Sequence, residues 1–496
     1  MAQRTMIVGL LLILAIDTRA AGPPSPTRVP RVRVLDLDLG ESQQVDLGDG
    51  TKALVKLLAI DEVRDTIRDA VRRALVKVEV NGQPIELISA TYHLPRTIAG
   101  VQVDCPITRG YLTNTDHDHW GLTKAARIRV WPAGSPWIEP GTFVYPVRQR
   151  WFASATQMAN EPTFVDGIEQ PSRRKIYYHS GLDIGGAEGL VDVIAATAGR
   201  VIAAGTTVLP GYEDSPVDPR YDVVYLLDDR GWYYRYSHLH SIDPAIKPGV
   251  TVAMGQKMGL LGKEGGSGGW SHLHFEIVSR QPSGRWGTQE GYAFLWEAYL
   301  RERQPTVLAV ARPHHLVQTG EKVALDAARS WSRSGTIARH DWTFSDGSTA
   351  SGPRVERTYE QPGVYSEILK VTDDGGNVSY DFAVVQVLDR DNSDPLPPGI
   401  HTAYAPTQNI HPGDPITFKV RTFGTTDGNE TWDFGDGTDP VQVRSDGNVK
   451  KLAPEGYAVT THRFAKPGDY LPHVERTDRR GRKATARLHV RVEPGQ

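Results

Sequence analysis

The sequence predicts a mainly β protein with several domains. At 496 residues the chain is longer than one ordinary domain. Its 49 glycines and 34 prolines favour the frequent turns that antiparallel sheets need. Segments in which apolar residues alternate with others recur along the chain, and its C-terminal part contains an internal repeat. Together these three observations indicate antiparallel sheets and β-sandwiches rather than helical bundles.

Composition and charge exclude some classes of protein. The formal net charge is -3, so the chain lacks the basic surplus that favours nucleic acid, and we predict no nucleic-acid partner. The 39% of hydrophobic and 23% of charged residues are typical of a globular protein. The single cysteine, Cys105, cannot form an internal disulfide. It is interpreted as a small buried apolar residue, with a thiol beside a metal cleft as the alternative.

The N-terminus has the pattern of an export signal. Arg4 gives a weakly basic start, residues 6–16 form an apolar run, and the small residues Ala20 and Ala21 end the segment. We predict a cleaved signal peptide over residues 1–21, with an uncleaved anchor as the alternative. No later segment has the roughly 20 apolar residues of a membrane-spanning helix. The mature chain is therefore expected to lack a transmembrane segment and to be secreted or held in the periplasm or cell envelope.

Residues 34–145 are predicted to form a β-rich N-terminal domain. Residues 61–73 carry apolar side chains at helical spacing and predict a short amphipathic helix. The alternating residues 75–80 and 84–88 flank the sequence Asn-Gly, which is a strong signal for a tight turn and predicts a β-hairpin.

A cluster of histidine motifs marks residues 146–303. In the sequence Ser-His-Leu-His-Phe-Glu-Ile, which begins at residue 271, apolar residues alternate with others and predict a strand. Residues two apart on a strand share a face, so His272 and His274 would project into one cleft. His179 and Asp183 lie four residues apart on a predicted strand, again an even spacing, and His238 lies on a further predicted strand.

These residue types are the ones from which a catalytic zinc site is built. Such a site commonly uses three protein ligands and leaves a fourth position for water, whose pKa falls towards about 7. His179, Asp183 and His274 would make that ligand set for Zn²⁺. His238 and His272 would then be unligated, one accepting a proton and the other stabilising an oxyanion or orienting the water.

Other polar groups are interpreted as structural. Residues 116–119, Asp-His-Asp-His, are predicted to form a solvated polar turn, with a second metal cluster as the alternative. His240 is predicted to lie outside the metal site. Asp346 and Asp436 each precede a glycine and are interpreted as turn-forming residues.

The internal repeat begins after residue 305. The six residues Trp-Thr-Phe-Ser-Asp-Gly from Trp342 recur as Trp-Asp-Phe-Gly-Asp-Gly from Trp432. Each copy is followed by a Pro-Gly segment that leads to a tyrosine, at Tyr365 and Tyr470. The repeated aromatics and Asp-Gly turns predict two β-sandwiches, and the Asp- and Pro-rich residues 391–398 predict the linker between them.

The histidine motifs carry a family resemblance. His179-x-x-x-Asp183, Tyr236-x-His238-Leu239 and His272-Leu273-His274-Phe275-Glu276 resemble, in order, the motifs of the lysostaphin-type (M23) zinc metallopeptidases over roughly residues 146–300. The resemblance implies the zinc ligands His179, Asp183 and His274 and the catalytic histidines His238 and His272. It also implies a β-sheet groove that cuts peptide cross-links of bacterial peptidoglycan.

The sequence departs from the family pattern before the His pair. Trp270-Ser271 stands where the family more commonly has Gly-Pro, and this difference is expected to affect the wall of the cleft and not the ligands. The insertion at residues 209–220 is expected to line the groove.

The repeats resemble PKD domains, which implies binding or spacing and no catalysis. The expected organisation is a signal peptide and four domains. They are named here as follows: signal peptide 1–21, N-terminal domain 34–145, M23-like antiparallel-sheet metallopeptidase domain 146–303 (the central domain), and PKD-like domains 305–390 (the first sandwich) and 399–494 (the second sandwich).

The expected function is that of an exported zinc endopeptidase. Its substrate would be the peptide of peptidoglycan, and the two sandwiches would bind a cell-surface polymer or protein. Three alternatives stay open at this point. One is a catalytically inactive scaffold of the same fold that regulates another wall hydrolase, and another is a secreted protease that cuts Gly-rich proteins. The third is an adhesin whose main function lies in the PKD-like part.

Overall fold

The computed structural model of the chain describes residues 22–162, 165, 171–173, 175–391 and 396–495. These residues contain 38 β-strands, one α-helix and one 3-10 helix, which confirms the predicted mainly β fold. The predicted signal peptide lies outside the described residues, as does part of the predicted linker at 391–398. No helix among the described residues is both long enough and apolar enough to cross a membrane.

The N-terminal domain consists of two four-stranded sheets. Its elements are β1 (Arg33–Leu37), β2 (Ser42–Asp46), β3 (Lys52–Arg64), β4 (Val71–Val80), β5 (Gln83–Ser89), β6 (Arg96–Ile98), β7 (Val101–Thr108), β8 (Ala126–Pro132) and the 3-10 helix Arg109–Leu112. The strand orders are β1-β8-β7-β6 and β2-β3-β4-β5. Apolar side chains from both sheets, among them Val55, Val76, Val103 and Ile128, form one buried core.

The structure confirms the predicted hairpin and shows that the predicted helix is wrong. Strands β4 and β5 pair in antiparallel fashion around Asn81 and Gly82, both of which have positive φ, as a tight hairpin turn requires. The predicted helix at 61–73 is instead the end of β3, a turn and the start of β4. The Asp65 carboxylate accepts hydrogen bonds from the backbone N–H groups of Ile67 and Arg68 and thereby closes the turn.

The central domain holds a large antiparallel sheet and a small one. Its elements are β9 (Thr156–Gln157), β10 (Leu182–Gly185), β11 (Asp192–Ile194), β12 (Gly199–Ala204), β13 (Thr207–Val208), β14 (Val224–Leu227), β15 (Tyr233–Ser237), β16 (Leu239–Ile242), β17 (Thr251–Val252), β18 (Lys257–Leu261), β19 (His272–Arg280), β20 (Trp286–Thr288) and α1 (Tyr292–Arg303). The large sheet runs β13-β12-β14-β15-β19-β10-β9, and the small one runs β11-β18-β16. Helix α1 buries Phe294 and Leu295 in the apolar core that also contains Phe275 of β19.

The two sandwiches share a sheet. Their strands are β21 (Val307–Leu308), β22 (His315–Gln318), β23 (Lys322–Asp326), β24 (Trp331–Ser332), β25 (Ile337–Thr343), β26 (Thr349–Ser351), β27 (Arg354–Thr358), β28 (Gly363–Asp373), β29 (Val378–Leu388), β30 (Gly399–Ala405), β31 (Ile416–Phe423), β32 (Glu430–Asp433), β33 (Val441–Val443), β34 (Ala458–His462), β35 (Gly468–Tyr470), β36 (His473–Thr477), β37 (Lys483–Arg487) and β38 (Val490–Val492). One sheet runs β22-β29-β28-β37-β36-β32-β33, so it crosses from the first sandwich into the second. The crossing is a parallel pair that sets Gly363 opposite Lys483 and Val364 opposite Ala484.

The two copies of the repeat have matching internal contacts. Trp342 and Trp432 are both completely buried in the cores of their sandwiches. The hydroxyl of Tyr365 donates to a backbone carbonyl four residues earlier at 2.8 Å, and that of Tyr470 does the same at 2.9 Å. The equivalent aromatic residues therefore have equivalent roles in the two sandwiches.

Two buried histidines join the second sandwich to the central domain. A ring nitrogen of His401 lies 2.9 Å from Ser154 Oγ, and a ring nitrogen of His489 lies 3.1 Å from the Arg150 guanidinium. His401 is completely buried and His489 nearly so. The contact between the two domains therefore depends on imidazoles that have little access to water.

Acidification is expected to destabilise this contact. Burial lowers the pKa of His401 to about 3, and burial together with the neighbouring Arg150 lowers that of His489 to about 4. Both imidazoles are neutral in the folded chain, whereas in the unfolded chain each binds a proton below about pH 6.5. The free energy of unfolding should therefore fall by on the order of 1 kcal/mol per histidine per pH unit as the pH drops from about 6.5 towards 4.

Urea denaturation at about pH 7, 6 and 5 measures this loss of stability. His401→Gln should remove one of the two contributions and flatten the pH dependence. His411→Gln changes a partly exposed histidine of the same sandwich, with 34% of its side chain accessible, and should keep the wild-type dependence. The same pH dependence in wild type and His401→Gln would contradict this prediction.

Candidate active site

Strand β19 is the centre of the site, because it lies between the two strands that carry or adjoin the other motifs. Its register sets His274 opposite Asp183 of β10 on one side and opposite Ser237 of β15 on the other. Most of β19 is buried, since the alternating apolar residues Leu273 and Phe275 point into the core on the face opposite the histidines. The hydrophobic pattern therefore fixes the register that directs His272 and His274 to the same face.

Three of the predicted site residues converge on one point. His179 Nε2 lies 3.0 Å from Asp183 Oδ1 and 3.1 Å from His274 Nδ1, and those last two atoms are 2.9 Å apart. All three side chains are less than a tenth exposed. Bonds of about 2.0–2.2 Å to a tetrahedral cation place its ligand atoms about 3.3–3.6 Å apart, a few tenths of an ångström more than the observed spacing.

The hydrogen bonds around these residues direct acceptor lone pairs towards the point of convergence. His179 Nδ1 lies 3.3 Å from the Met158 carbonyl, so it carries the proton and Nε2 is an acceptor. His274 Nε2 faces a carboxylate oxygen of Glu276 at 3.7 Å, which favours the proton on that side and leaves Nδ1 as an acceptor. Two imidazole nitrogens and one carboxylate oxygen in mutual contact need a cation or a proton between them. The residues present therefore fit a bound divalent metal ion.

The other two predicted site residues lie beside the three converging side chains. The rings of His238 and His272 are 4.6 Å apart, and that of His238 is 6.0 Å from the ring of His274. His238 Nδ1 lies 2.6 Å from the Glu264 carbonyl, and His272 Nδ1 lies 3.1 Å from the Trp270 carbonyl. The carbonyl contact places the proton of His238 on Nδ1 and leaves its Nε2 unprotonated, whereas Nε2 of His272 also faces an acceptor, Asp183 Oδ2, at 3.3 Å.

The structure corrects the predicted backbone of two of these residues. His179 lies in an irregular segment before β10, and His238 lies between β15 and β16 with a φ of 67°. The prediction that both occupy strands is therefore wrong. The backbone N–H of His238 donates to Asp222 Oδ2 at 2.9 Å, and this bond stabilises the left-handed conformation that a histidine rarely adopts.

Burial and neighbouring charges shift the pKa values of the site residues in different directions. Burial opposes ionisation of Asp183, yet the neighbouring His179 and His272 hold the pKa of its carboxyl well below the usual range. Burial lowers the pKa of His238, and it lowers that of His272 much further. For His274 burial acts in the same direction, but hydrogen bonding to Asp183 and Glu276, together with the charge of Asp183, outweighs it and raises the pKa. At neutral pH, Asp183 is therefore ionised, and His238 and His272 are neutral.

The sequence alone did not reveal the residues that hold the five site side chains in place. Asp222 holds the backbone of His238, and Glu276 lies behind His274 and accepts a hydrogen bond from the Thr288 hydroxyl at 2.8 Å. His119 of the N-terminal domain is close enough to Glu276, His179 and His274 for their charges to affect its pKa, which burial lowers. Among these, only Glu276 belongs to a motif that could have indicated it.

The remaining candidate residues lie elsewhere. In the run 116–119, Asp118 Oδ1 accepts hydrogen bonds from two following backbone N–H groups, which is the geometry of a polar turn. His240, 47% exposed, lies near Glu188 and Glu264 in a second group of possible metal ligands among the described residues. Cys105 is buried in the N-terminal core, where burial raises the pKa of its thiol to about 12.

The two aspartates of the repeats act as turn residues. Oδ1 of Asp346 accepts from the backbone N–H and the hydroxyl of Ser348. Oδ1 of Asp436 accepts from the same two groups of Thr438. Each carboxylate therefore closes the turn after its own strand.

Comparison with known protein families identifies three of the domains. Residues 177–284 match peptidase family M23, a range that includes all five site residues. Residues 303–387 and residues 400–492 each match the PKD domain. The chain therefore contains an M23 peptidase domain followed by two PKD domains, as its motifs predicted. An M23 domain is metal-dependent and supports a peptidase, and its three converging side chains form a possible metal site.

Solved structures with a partial likeness include Csd3 of Helicobacter pylori, from its orthorhombic crystal. It is 14% identical over 53% of this chain and 82% of that chain, with a TM-score of 0.21. The fibronectin(III)-like modules of Clostridium thermocellum CbhA are 13% identical over 38% of this chain and 94% of that chain, with a TM-score of 0.16. At such scores the function of the chain has to be argued from its own site.

Proposed function

We propose that the chain is an exported zinc metalloendopeptidase that hydrolyses peptide cross-links of bacterial peptidoglycan. The observation that carries the proposal is the convergence of His179, Asp183 and His274 within 3.1 Å, inside an M23 domain. A divalent cation bound there supplies a Lewis acid that polarises the scissile carbonyl and lowers the pKa of water. Two imidazoles and one carboxylate are a donor set that suits zinc.

His238 and His272 supply the proton chemistry in this proposal. Each ring is held by a backbone carbonyl at Nδ1, so Nε2 can act as a base, and Nε2 of His272 also lies 3.3 Å from Asp183 Oδ2. One Nε2 takes the proton of the attacking water and later gives it to the leaving amine. The other accepts a hydrogen bond from the water and so orients it, while the histidine that has taken the proton donates a hydrogen bond to the oxyanion of the tetrahedral intermediate before the leaving amine is protonated.

The substrate class and the location are supported by the sequence. The three histidine motifs resemble those of lysostaphin-type peptidases, which implies a wall peptide as substrate, and the first 21 residues have the pattern of an export signal. The two sandwiches are proposed to hold the enzyme at a cell-surface polymer or protein. An exported peptidase with these motifs is expected to meet its substrate outside the cytoplasm.

Hydrolysis of purified peptidoglycan, compared with hydrolysis of a Gly-rich protein, tests the proposal. The metal-loaded chain should contain about one zinc ion and release new amino groups from peptidoglycan. A chelator should abolish the release, and added zinc should restore it, because the proposed hydrolysis depends on the ion that His179, Asp183 and His274 would hold.

Each other outcome supports a different function. Hydrolysis of the Gly-rich protein without hydrolysis of peptidoglycan would favour the secreted protease. Bound zinc with hydrolysis of neither substrate would favour the inactive scaffold that regulates another wall hydrolase.

A further inference from the structure

The second sandwich holds the backbone that leads into the His272 strand. The Arg421 guanidinium donates to the Gly269 carbonyl at 2.6 Å, and Asn448 Nδ2 donates to the Gly268 carbonyl at 3.0 Å. The Ser271 backbone N–H donates to the Tyr457 hydroxyl at 2.7 Å. Arg421 is itself fixed by two hydrogen bonds to the Asp446 carboxylate. Three backbone groups immediately before His272 therefore have their partners in another domain.

The approach of the two domains is too close for any side chain at Gly269. This glycine has a φ of 94°, and a Cβ atom placed there would lie 2.2 Å from Asn448 Oδ1. The backbone at Gly268 and Gly269 is therefore fixed against the second sandwich. Its position depends on that sandwich as well as on the central domain.

A buried chain of hydrogen bonds continues from Tyr457 back to the central domain. The Ser154 hydroxyl donates to the Thr402 carbonyl at 2.6 Å, so its oxygen must accept from His401 Nε2 at 2.9 Å. His401 Nδ1 is then an acceptor, and it lies 2.8 Å from the Tyr457 hydroxyl. That hydroxyl donates to His401 and accepts from Ser271. The polar atoms in this series of hydrogen bonds all have partners only while the second sandwich and the central domain keep this arrangement.

Trp270 connects the second sandwich to the candidate active site. Its ring stacks on that of His272, with centroids 3.9 Å apart and planes 25° apart, and its carbonyl accepts from His272 Nδ1. The Trp270 ring also meets that of His401, at 5.3 Å between centroids and with the planes 63° apart. Trp270 is 1% exposed, so its ring has little room to move. The position of residues 270 and 271 therefore determines the orientation of the His272 ring.

We propose that the second sandwich contributes to the active site by positioning His272. Through Tyr457, Arg421 and Asn448 it holds residues 268–271, and through Trp270 it orients His272. These residues are positioning residues, because none of them touches the metal ligands or reaches the reacting atoms. The role in catalysis rests on the proposed function, whereas the role in holding the segment does not.

The variant Tyr457→Phe in the full-length chain tests this proposal. It removes one hydroxyl, and with it the acceptor for the Ser271 N–H. We expect kcat on a soluble wall peptide to fall about tenfold or more, because catalysis is sensitive to displacements of less than 1 Å, whereas KM and the zinc content should change less than about twofold. Hydrogen exchange of the Ser271 amide, followed by mass spectrometry, should become about tenfold faster.

Two further variants make the result decisive. Tyr404→Phe is the matched control, because its buried hydroxyl donates to the His489 carbonyl at 2.7 Å within the same sandwich and makes no bond to residues 268–271. It should leave kcat and the Ser271 exchange unchanged.

Asn448→Gly keeps the left-handed backbone of a partly exposed turn and removes only the bond to Gly268, so it should lower kcat without unfolding the sandwich.

The outcomes separate this proposal from the proposed function. Equal kcat values, or equal Ser271 exchange rates, in Tyr457→Phe and Tyr404→Phe would overturn the positioning role. A wild-type chain that hydrolyses no peptide would overturn the peptidase instead. In that case the exchange rates alone decide whether the second sandwich holds the segment before His272.

Discussion

His274→Ala is expected to remove both the metal and the activity. The change leaves only His179 and Asp183 at the point where three acceptor atoms now lie within 3.1 Å of one another. Two ligands do not hold zinc at a site built for three, so the zinc content should drop from about one ion per chain to about zero. Hydrolysis should fall by about 10³-fold or more, because Lewis-acid activation is lost altogether. Metal analysis and amino-group release from peptidoglycan measure the two effects on the same sample.

His240→Ala is the control for this experiment. His240 belongs to the second group of possible metal ligands, with Glu188 and Glu264, but its side chain is 47% exposed. The Lys263 ammonium also forms an ion pair with Glu188 and competes with any cation there. The variant should keep its zinc and its full rate of hydrolysis. Loss of zinc from His240→Ala, with zinc retained in His274→Ala, would place the metal in the second group.

His238→Asn is expected to separate metal binding from proton transfer. His238 is not among the three converging ligands, so the variant should keep about one zinc ion per chain. Removal of a general base or of a donor to the oxyanion typically costs about 10²- to 10⁴-fold in rate, and we expect a loss in that range. Asparagine is the substitution of choice because, apart from glycine, it best tolerates the φ of 67° found at this position.

The control for His238→Asn is the same substitution two residues later. His240→Asn changes an exposed histidine of strand β16 and should leave both zinc content and rate unchanged. Far-UV circular dichroism should be identical for the two variants. Full activity of His238→Asn would show that His272 alone carries the proton, and it would contradict the role proposed for His238.

The regular parts of the fold were predictable because their signals are local. The Asn-Gly turn and the alternating residues around it specify the β4-β5 hairpin, and the repeated Trp motifs specify the two sandwiches. The predicted helix at 61–73 failed because the same apolar spacing also fits a strand, a turn and a second strand. The Asp65 carboxylate decides between the two by bonding the backbone N–H groups of Ile67 and Arg68.

The ligand geometry was predictable where a strand carries it. Residues two apart on a strand must share a face, and His272 and His274 of β19 both reach Asp183. Even spacing says nothing about His238, whose left-handed backbone depends on Asp222, 16 residues earlier in the chain. The contacts of the second sandwich lie even further along the sequence, and no local pattern encodes them.

The bond between Ser271 and Tyr457 has a consequence for the order of events during synthesis. The two residues are 186 positions apart, and the chain is made and folded from its N-terminus. When the central domain has emerged, its histidines can already meet, yet the partner of the Ser271 amide still has to be translated. The final orientation of His272 is therefore reached only after Tyr457 has been made. A nascent chain that has not yet reached Tyr457 lacks one of the contacts that hold the segment before His272.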